Sequence, residues 1–279
     1  MISDSIYIIL LFGLIGLITN TIAWKKGFYS YRFYPPPPIS FKHVGFLFAI
    51  YIGVTYVLSG YFGALLQKYS LTAPTTGTIV FLQFALIAFM LIGFYLYCTL
   101  QAKGVFTKIW KNPAVQPLTS PLYDFLFGAI AWLVAFPVVQ VIGQLLDMIL
   151  FVIYRLESYE QTAVKYLKTT LESPAMAILA LISIVIIAPI VEEFLFRGTL
   201  QTYLKRRMPP KAAIAVASLC FGLFHFSPEQ GFGNISLIIS LFVFGSFLGY
   251  VYEKQGSLYA SIGLHLAFNF ISSVRILFG

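Results

Sequence analysis

Carboxylate, imidazole and amide side chains lie inside long apolar runs in the C-terminal part of this sequence. These runs contain Glu192 and Glu193, then His225, and finally His265 and Asn269. An ionisable side chain at the centre of a membrane span costs about 2.5–3.5 kcal/mol on insertion scales, so each one requires a reason. A carboxylate can take a proton from water, and fixed donors can stabilise the oxyanion formed when water attacks an amide. The residue types are therefore suited to amide hydrolysis inside a membrane.

Helical spacing separates the two adjacent glutamates. Glu193 and Arg197 are four residues apart, so they lie on one helix face and can form an ion pair. Glu192 is rotated from Glu193 by about 100° on a helix of 3.6 residues per turn. We therefore expect Arg197 to neutralise Glu193, and Glu192 to face a cavity as the base. The alternative for these three residues is an ion-pair network with a purely structural role.

The other polar groups are expected at a similar depth on separate helices. Measured from the inside ends of their predicted spans, Glu192, His225 and Asn269 each lie about 20 Å along the helix, at 1.5 Å per residue. His265 lies one turn nearer the inside and shares a helix face with Asn269. Phe221 lies one turn before His225 and can form a wall of the site. The shared level predicts one cavity between three helices.

A metal-free site is the favoured interpretation of these residues, and no cofactor is expected. Zinc is the alternative, with Glu192, His225 and His265 as its ligands. The sequence contains no HExxH motif, and its two cysteines, Cys98 and Cys220, lie in separate apolar runs. Unpaired cysteines in such runs are typical of small buried side chains, so a thiolate metal site is not indicated.

The composition places these residues in an integral membrane protein. Charged residues make up 10% of the 279 positions and hydrophobic residues 59%, and the mean hydropathy is +0.87. Soluble domains usually carry about 25% charged residues. The net charge of +8 does not indicate nucleic-acid binding, because the basic residues lie in short loops between apolar runs.

We predict an all-α, polytopic membrane bundle with about eight transmembrane helices, each near the length that a bilayer requires. Two regions are expected, an N-terminal transmembrane region at 1–173 and a catalytic membrane domain at 174–277. The first region should contain four spans and an interfacial amphipathic segment near 155–172. The predicted spans are 5–24, 44–66, 78–101, 122–147, 174–204, 211–227, 234–252 and 257–277.

The distribution of basic residues predicts the orientation. With the N-terminus outside, thirteen Lys and Arg side chains lie in or beside inside loops and five lie outside, which agrees with the positive-inside rule. Eight spans would then place both termini on the non-cytoplasmic side. The inside set is Lys25, Lys26, Arg32, Lys42, Lys103, Lys108, Lys111, Arg197, Lys205, Arg206, Arg207, Lys211 and Lys254; the outside set is Lys68, Arg155, Lys165, Lys168 and Arg275.

Four further polar residues occur in the fourth predicted span. Gln140 and Gln144 form a stripe that is expected to serve helix packing or to line a cavity. Asp124 and Asp147 lie near the ends of this span, and we expect water to solvate both of them.

The motifs EExxxR, FxxxH and HxxxN occur in that order on successive predicted membrane helices. They read Glu192-Glu193-x-x-x-Arg197, Phe221-x-x-x-His225 and His265-x-x-x-Asn269. In this respect the sequence resembles the CPBP family, whose members are CAAX prenyl endopeptidases and bacteriocin-processing or bacteriocin-immunity proteins of the Abi type. The resemblance covers about 174–277 and leaves the first four spans unmatched.

The resemblance implies roles for the motif residues. Glu192 and His225 would activate water, His265 and Asn269 would stabilise the oxyanion, and Glu193 with Arg197 would be the supporting pair. Its substrates would be membrane-anchored peptides or proteins, prenylated ones in eukaryotes and varied peptides in bacteria. Its location would be the bacterial plasma membrane or the eukaryotic endoplasmic reticulum.

Two other functions remain open from the sequence. The same fold could serve a non-catalytic scaffold or immunity protein, which would tolerate Glu192→Gln. Carboxylates and histidines at the midplane could instead relay protons in a transporter. The sequence shows no internal repeat of the kind that many transporters carry.

Overall fold

The computed structural model describes residues 2–30, 34–69, 75–102, 104–115, 119–155 and 161–278. Over these ranges the chain is helical and has no strand, apart from one isolated bridge between Lys111 and Ser257. The α-helices are α1 (Ile2–Lys25), α2 (Phe41–Ile52), α3 (Ser59–Tyr69), α4 (Thr76–Thr99), α5 (Thr107–Trp110), α6 (Pro121–Tyr154), α7 (Thr162–Thr170), α8 (Pro174–Leu181), α9 (Ala188–Glu193), α10 (Thr202–Leu204), α11 (Pro210–Phe224), α12 (Gly233–Gln255) and α13 (Leu258–Phe278).

Seven helical stretches are long and apolar enough to cross a bilayer, which makes this an integral, multi-pass membrane protein. The stretches are Ser3–Lys25, Phe41–Leu66, Thr76–Thr99, Pro121–Tyr154, Pro174–Leu204, Gly233–Gln255 and Leu258–Phe278. The sixth span of the sequence prediction, 211–227, corresponds to α11, which has only 15 residues. At 1.5 Å per residue α11 is about 22 Å long, which is shorter than a usual span of about 30 Å.

Three π-helical stretches interrupt these spans. Gly53–Leu58 joins α2 to α3, whereas Ile182–Ile187 and Phe194–Gln201 lie on either side of α9. The last two belong to the stretch Pro174–Leu204, which we call the fifth span. π-helical turns in α-helices are often found at functional sites.

Close backbone contact joins α6 to α13. A Cβ atom on Gly128 of α6 would lie 1.8 Å from the carbonyl oxygen of Ala260, and one on Gly263 of α13 would lie 2.1 Å from that of Phe125. Farther along the two helices, the rings of Phe136 and Phe268 are 5.5 Å apart. Residue numbers therefore increase in the same direction along both helices, so α6 and α13 run parallel.

The bundle has two chemically different ends. At the basic end, where α1 ends and α13 begins, Lys254 donates to the carbonyl oxygen of Gly27 and Arg206 to that of Ile39. The described basic side chains of this end are Lys25, Lys26, Lys42, Lys108, Lys111, Lys205, Arg206, Arg207, Lys211 and Lys254. The opposite end carries Lys68, Arg155, Lys165, Lys168 and Arg275.

Buried polar contacts fix the helices at the basic end. Gln201 donates to Glu253 Oε1 at 2.8 Å and to the carbonyl oxygen of Gly249 at 3.1 Å, and Lys205 forms a buried ion pair with Glu253. Asp124 is fully buried and forms an ion pair with Lys111. The expectation that water solvates Asp124 was therefore wrong, because a lysine from the preceding loop reaches it.

The amphipathic segment expected at 155–172 contains α7. Leu167 on this helix is buried, while Lys165 and Lys168 are exposed. Residues 156–160 of the predicted segment lie outside the ranges that the structure describes. The helix thus has one apolar face against the bundle and one charged face.

Candidate active site

The two glutamates end the short helix α9, between two π-helical stretches of the fifth span. The first stretch also contacts the last helix, since Asn269 Nδ2 donates to the carbonyl oxygen of Ile184 at 3.0 Å. The HxxxN amide is therefore held against the backbone eight residues before Glu192. This contact ties α13 to the fifth span.

Glu193 is the centre of a buried cluster. Its Oε1 accepts from Arg197 Nη1 at 3.0 Å and lies 2.8 Å from His265 Nδ1. Arg197 also donates to the carbonyl oxygen of Gly245 at 3.1 Å, and its guanidinium carbon lies 4.5 Å from the centre of the Phe221 ring. The Glu193–Arg197 ion pair thus forms as the spacing predicts, and Glu193 is fully buried with it.

Glu192 faces the other way and remains partly open, with a side chain 16% exposed. Its Oε2 lies 3.7 Å from His265 Nε2 and 4.0 Å from His225 Nε2. Both separations exceed a direct hydrogen bond and leave room for a bridging water. Both imidazoles therefore converge on the Glu192 carboxylate, as expected for one cavity between three helices.

His225 follows the last residue of the short helix α11. Its Nδ1 lies 2.9 Å from the carbonyl oxygen of Phe221, which can only accept a hydrogen bond. This contact fixes the tautomer with hydrogen on Nδ1, so a neutral His225 presents the Nε2 lone pair to Glu192. The Phe221 ring packs edge-on against the imidazole at 4.8 Å and forms the predicted wall.

His265 is held between the two glutamates. A neutral ring that donates from Nδ1 to Glu193 has only an acceptor at Nε2, whereas a protonated ring donates from both nitrogens. Phe244 and Phe221 pack edge-on against it, with ring centres at 5.2 and 5.8 Å. With hydrogen on Nδ1, the ring can donate from Nε2 to an oxyanion only when both nitrogens carry hydrogen.

A cavity of about 840 Å³, which we call the cleft, begins at this cluster. Its lining includes Glu192, His225, His265 and Asn269, and it extends past polar side chains of α6 and α12. It reaches residues of the opposite end, among them the exposed Asp4 and Arg275. A second pocket of about 150 Å³ touches Glu192 and is also lined by Tyr51, Thr55, Ser59, Gln83 and Ser183.

Comparison with protein-family models assigns a family to the C-terminal part of the chain. Residues 174–271 match the family described as type II CAAX prenyl endopeptidase Rce1-like. The chain carries a CPBP-family domain. No curated protein and no solved structure matched the chain. The Rce1-like family consists of intramembrane proteases, and all the residues of the glutamate–histidine cluster named above lie within the matched segment.

The CPBP domain does not contain a preformed metal centre among its described residues. Across the described ranges of the chain, no three His, Cys, Asp or Glu side chains are arranged to hold a metal ion. Zinc ligation by Glu192, His225 and His265 stays the alternative to a metal-free site. Cys98 and Cys220 are unpaired and half-buried.

Sequence reasoning did not find two contacts of the CPBP site. The hydrogen bond between His265 and Glu193 joins residues 72 positions apart, and the spacing of neither motif indicates it. Phe244, which packs against His265, looks like any other apolar residue of its span. The predicted depths did not indicate the contact either, because His265 was expected one turn nearer the inside than Glu192.

Proposed function

We propose that this protein is an intramembrane endopeptidase that hydrolyses a peptide bond in a membrane-anchored protein or peptide. The observation that carries the proposal is the Glu192 carboxylate, which faces the cleft with two imidazole Nε2 atoms at 3.7 and 4.0 Å. A carboxylate and an imidazole at these distances can both accept hydrogen from one water molecule. Family membership of the domain supports the same reaction class.

In the proposed reaction Glu192 and the neutral His225 bind the two hydrogens of the water. Glu192 takes a proton as the water oxygen bonds to the scissile carbonyl carbon, which gives a tetrahedral intermediate. The carbon–nitrogen bond then breaks, and the proton passes from Glu192 to the leaving amine. General base catalysis of this kind contributes about 10²- to 10⁴-fold to a rate.

His265 and Asn269 are the proposed oxyanion donors. His265 donates from Nε2, while its Nδ1 donates to Glu193 Oε1 at 2.8 Å and so fixes the direction of the ring. Asn269 uses one amide hydrogen on the carbonyl oxygen of Ile184, which leaves its second amide hydrogen for the substrate. Donors fixed in a water-poor cavity stabilise the oxyanion more strongly than donors in water.

The proposed orientation places the basic end of the bundle in the cytoplasm and both termini outside. The positive-inside bias supports this orientation if α11 returns the chain across the membrane despite its length. Because the cleft reaches the opposite end, the substrate segment enters from the non-cytoplasmic side. Helix α6, in the proposed N-terminal region 1–173, lines the cleft of the proposed catalytic domain 174–277.

The test compares wild-type protein with Glu192→Gln in a native membrane. Peptides recovered from the two membranes are identified by mass spectrometry, and the wild type is expected to release fragments that are absent from the variant. Glu229→Gln is the control, because Glu229 is an exposed carboxylate that pairs with Lys165. Identical fragments from all three membranes would exclude the peptidase.

A proton-coupled transporter is the second candidate, because Glu192 lines both the cleft and the smaller pocket. A carboxylate reached from two pockets could exchange protons between them. Purified protein in liposomes would then acidify the interior when a pH gradient and substrate are applied. Proton flux that stops in Glu192→Gln, without peptide cleavage by the wild type, would favour the transporter.

A further inference from the structure

A polar stripe on α6 follows the cleft away from the glutamate–histidine cluster. Gln140, Gln144 and Asp147 lie four and three residues apart, so they share one helix face, and all three line the cleft. Ser236 and Ser240 of α12 line the same part of the cleft. Polar side chains inside a membrane span normally face water, a partner or a ligand, so this stripe marks a groove that can bind polar groups.

The distance along the groove can be read from the helix register. Phe268 on α13 is level with Phe136 on α6, since their rings are 5.5 Å apart. Asp147 lies about 16.5 Å beyond Phe136, and His265 lies about 4.5 Å before Phe268, at 1.5 Å per residue. The groove therefore runs about 21 Å from His265 to Asp147. An extended polypeptide covers this distance in about six residues, at about 3.4 Å each.

Asp147 is the charged group at the far end of the groove. It is half-buried and lines the cleft together with Ser236, and among the residues that the structure describes no cation lies within ion-pair distance of it. The same lining includes Arg275, whose side chain is exposed. A half-buried carboxylate that lines a groove without a cation at ion-pair distance attracts a cationic group of a ligand.

We propose that Asp147 is a specificity residue that binds a lysine or arginine of the substrate, about six residues from the scissile bond. Gln140 and Gln144 bind the backbone of the extended segment between these two points, since their amides can both donate and accept. This inference rests on the proposed peptidase function and extends it to a substrate class. The substrate is a membrane-anchored polypeptide with an extended segment in the cleft. This segment carries a basic residue at the position that lies nearest the opposite end of the bundle.

The test uses a defined probe, a library of palmitoylated synthetic peptides with twelve randomised residues, presented to the purified protein in liposomes. Products are sequenced by mass spectrometry for the wild type, Asp147→Asn, Asp147→Lys and the control Glu229→Gln. We expect wild type and control to enrich Lys and Arg about tenfold near the sixth residue from the cut, as one partly buried ion pair would. Asp147→Asn should remove this enrichment, and Asp147→Lys should replace it with enrichment of Asp and Glu.

The outcomes separate this inference from the proposed function. Cleavage by wild type without a preference for basic residues, or a preference unchanged in Asp147→Asn, would overturn the role of Asp147 and leave the peptidase intact. If the wild type cleaves the library with neither an N-terminal nor a C-terminal anchor, both the proposed peptidase function and the role of Asp147 are overturned. The unfolding midpoint of purified Asp147→Asn, compared with that of the wild type, serves as the folding control.

Discussion

The two adjacent glutamates have the same chemistry and opposite environments. Glu193 is fully buried and bound to Arg197 and His265, whereas Glu192 faces the cleft and has no direct hydrogen bond among the described contacts. A carboxylate already bound to a guanidinium is a poor base, because protonation would break the ion pair. Only Glu192 is therefore free to take a proton from water.

Replacing Glu192 with Gln keeps the size of the side chain and removes its basicity. We expect peptide cleavage to fall by about 10²- to 10⁴-fold, the usual contribution of a general base. Thermal stability should stay within a few degrees of wild type, because Glu192 forms no buried ion pair. A variant that cleaves at the wild-type rate would contradict the assignment of the base.

Replacing Glu193 with Gln should affect stability first. The change leaves Arg197 buried without a counter-charge, and breaking a buried pair costs about 3–5 kcal/mol. Unfolding of the purified variant in denaturant or mixed micelles measures the loss, with Glu192→Gln as the matched control. A folded, inactive Glu193→Gln beside an active Glu192→Gln would show that the two roles are reversed.

Metal dependence is tested by removal. Since the described site has no three residues arranged to hold a metal ion, we expect cleavage to continue after dialysis against a chelator. Elemental analysis of the purified protein should find less than one zinc per chain. If activity stops in chelator and returns only with added zinc, Glu192, His225 and His265 become ligands.

At the scale of the elements, apolar length predicted the spans and helical spacing predicted the Glu193–Arg197 pair. The π-helical stretches on either side of α9 could not be predicted, because a change in backbone hydrogen bonding leaves no mark in hydropathy. The prediction also extended the sixth span to 227, although the helix ends at Phe224. The apolar residues around His225 continue past the end of the helix, so composition does not reveal where it stops.

The glycine contacts of α6 and α13 place His265 and Asn269. A methyl group on Gly128 would lie 1.8 Å from the Ala260 carbonyl oxygen. Because both partners are helix backbone, the clash can be relieved only if α6 and α13 move apart. We expect Gly128→Ala to lower the free energy of unfolding by about 1–3 kcal/mol and to reduce cleavage. Gly13→Ala on α1 is the control, since no atom lies within 4 Å of its new methyl group, and it should match wild type in both assays.

At the scale of the whole molecule, the proposed site and the basic loops lie toward different ends of the bundle. Most of the described basic side chains are at the basic end, while the cleft leads from Glu192 to the opposite end. The side from which substrate enters therefore depends on the orientation of the bundle in the membrane. Orientation thus decides which class of membrane-anchored segment can reach the glutamate.

Cysteine labelling can determine this orientation. In a background with Cys98 and Cys220 changed to Ala, single cysteines are placed at Arg206 of the basic end and at Glu229 of the opposite end; both side chains are exposed. A membrane-impermeant maleimide should label position 229 on intact cells and position 206 only after permeabilisation. Arg206→Cys removes one of thirteen inside charges, so the positive-inside bias survives the substitution. Labelling of position 206 on intact cells would show that the bundle has the reverse orientation and that the cleft opens to the cytoplasm.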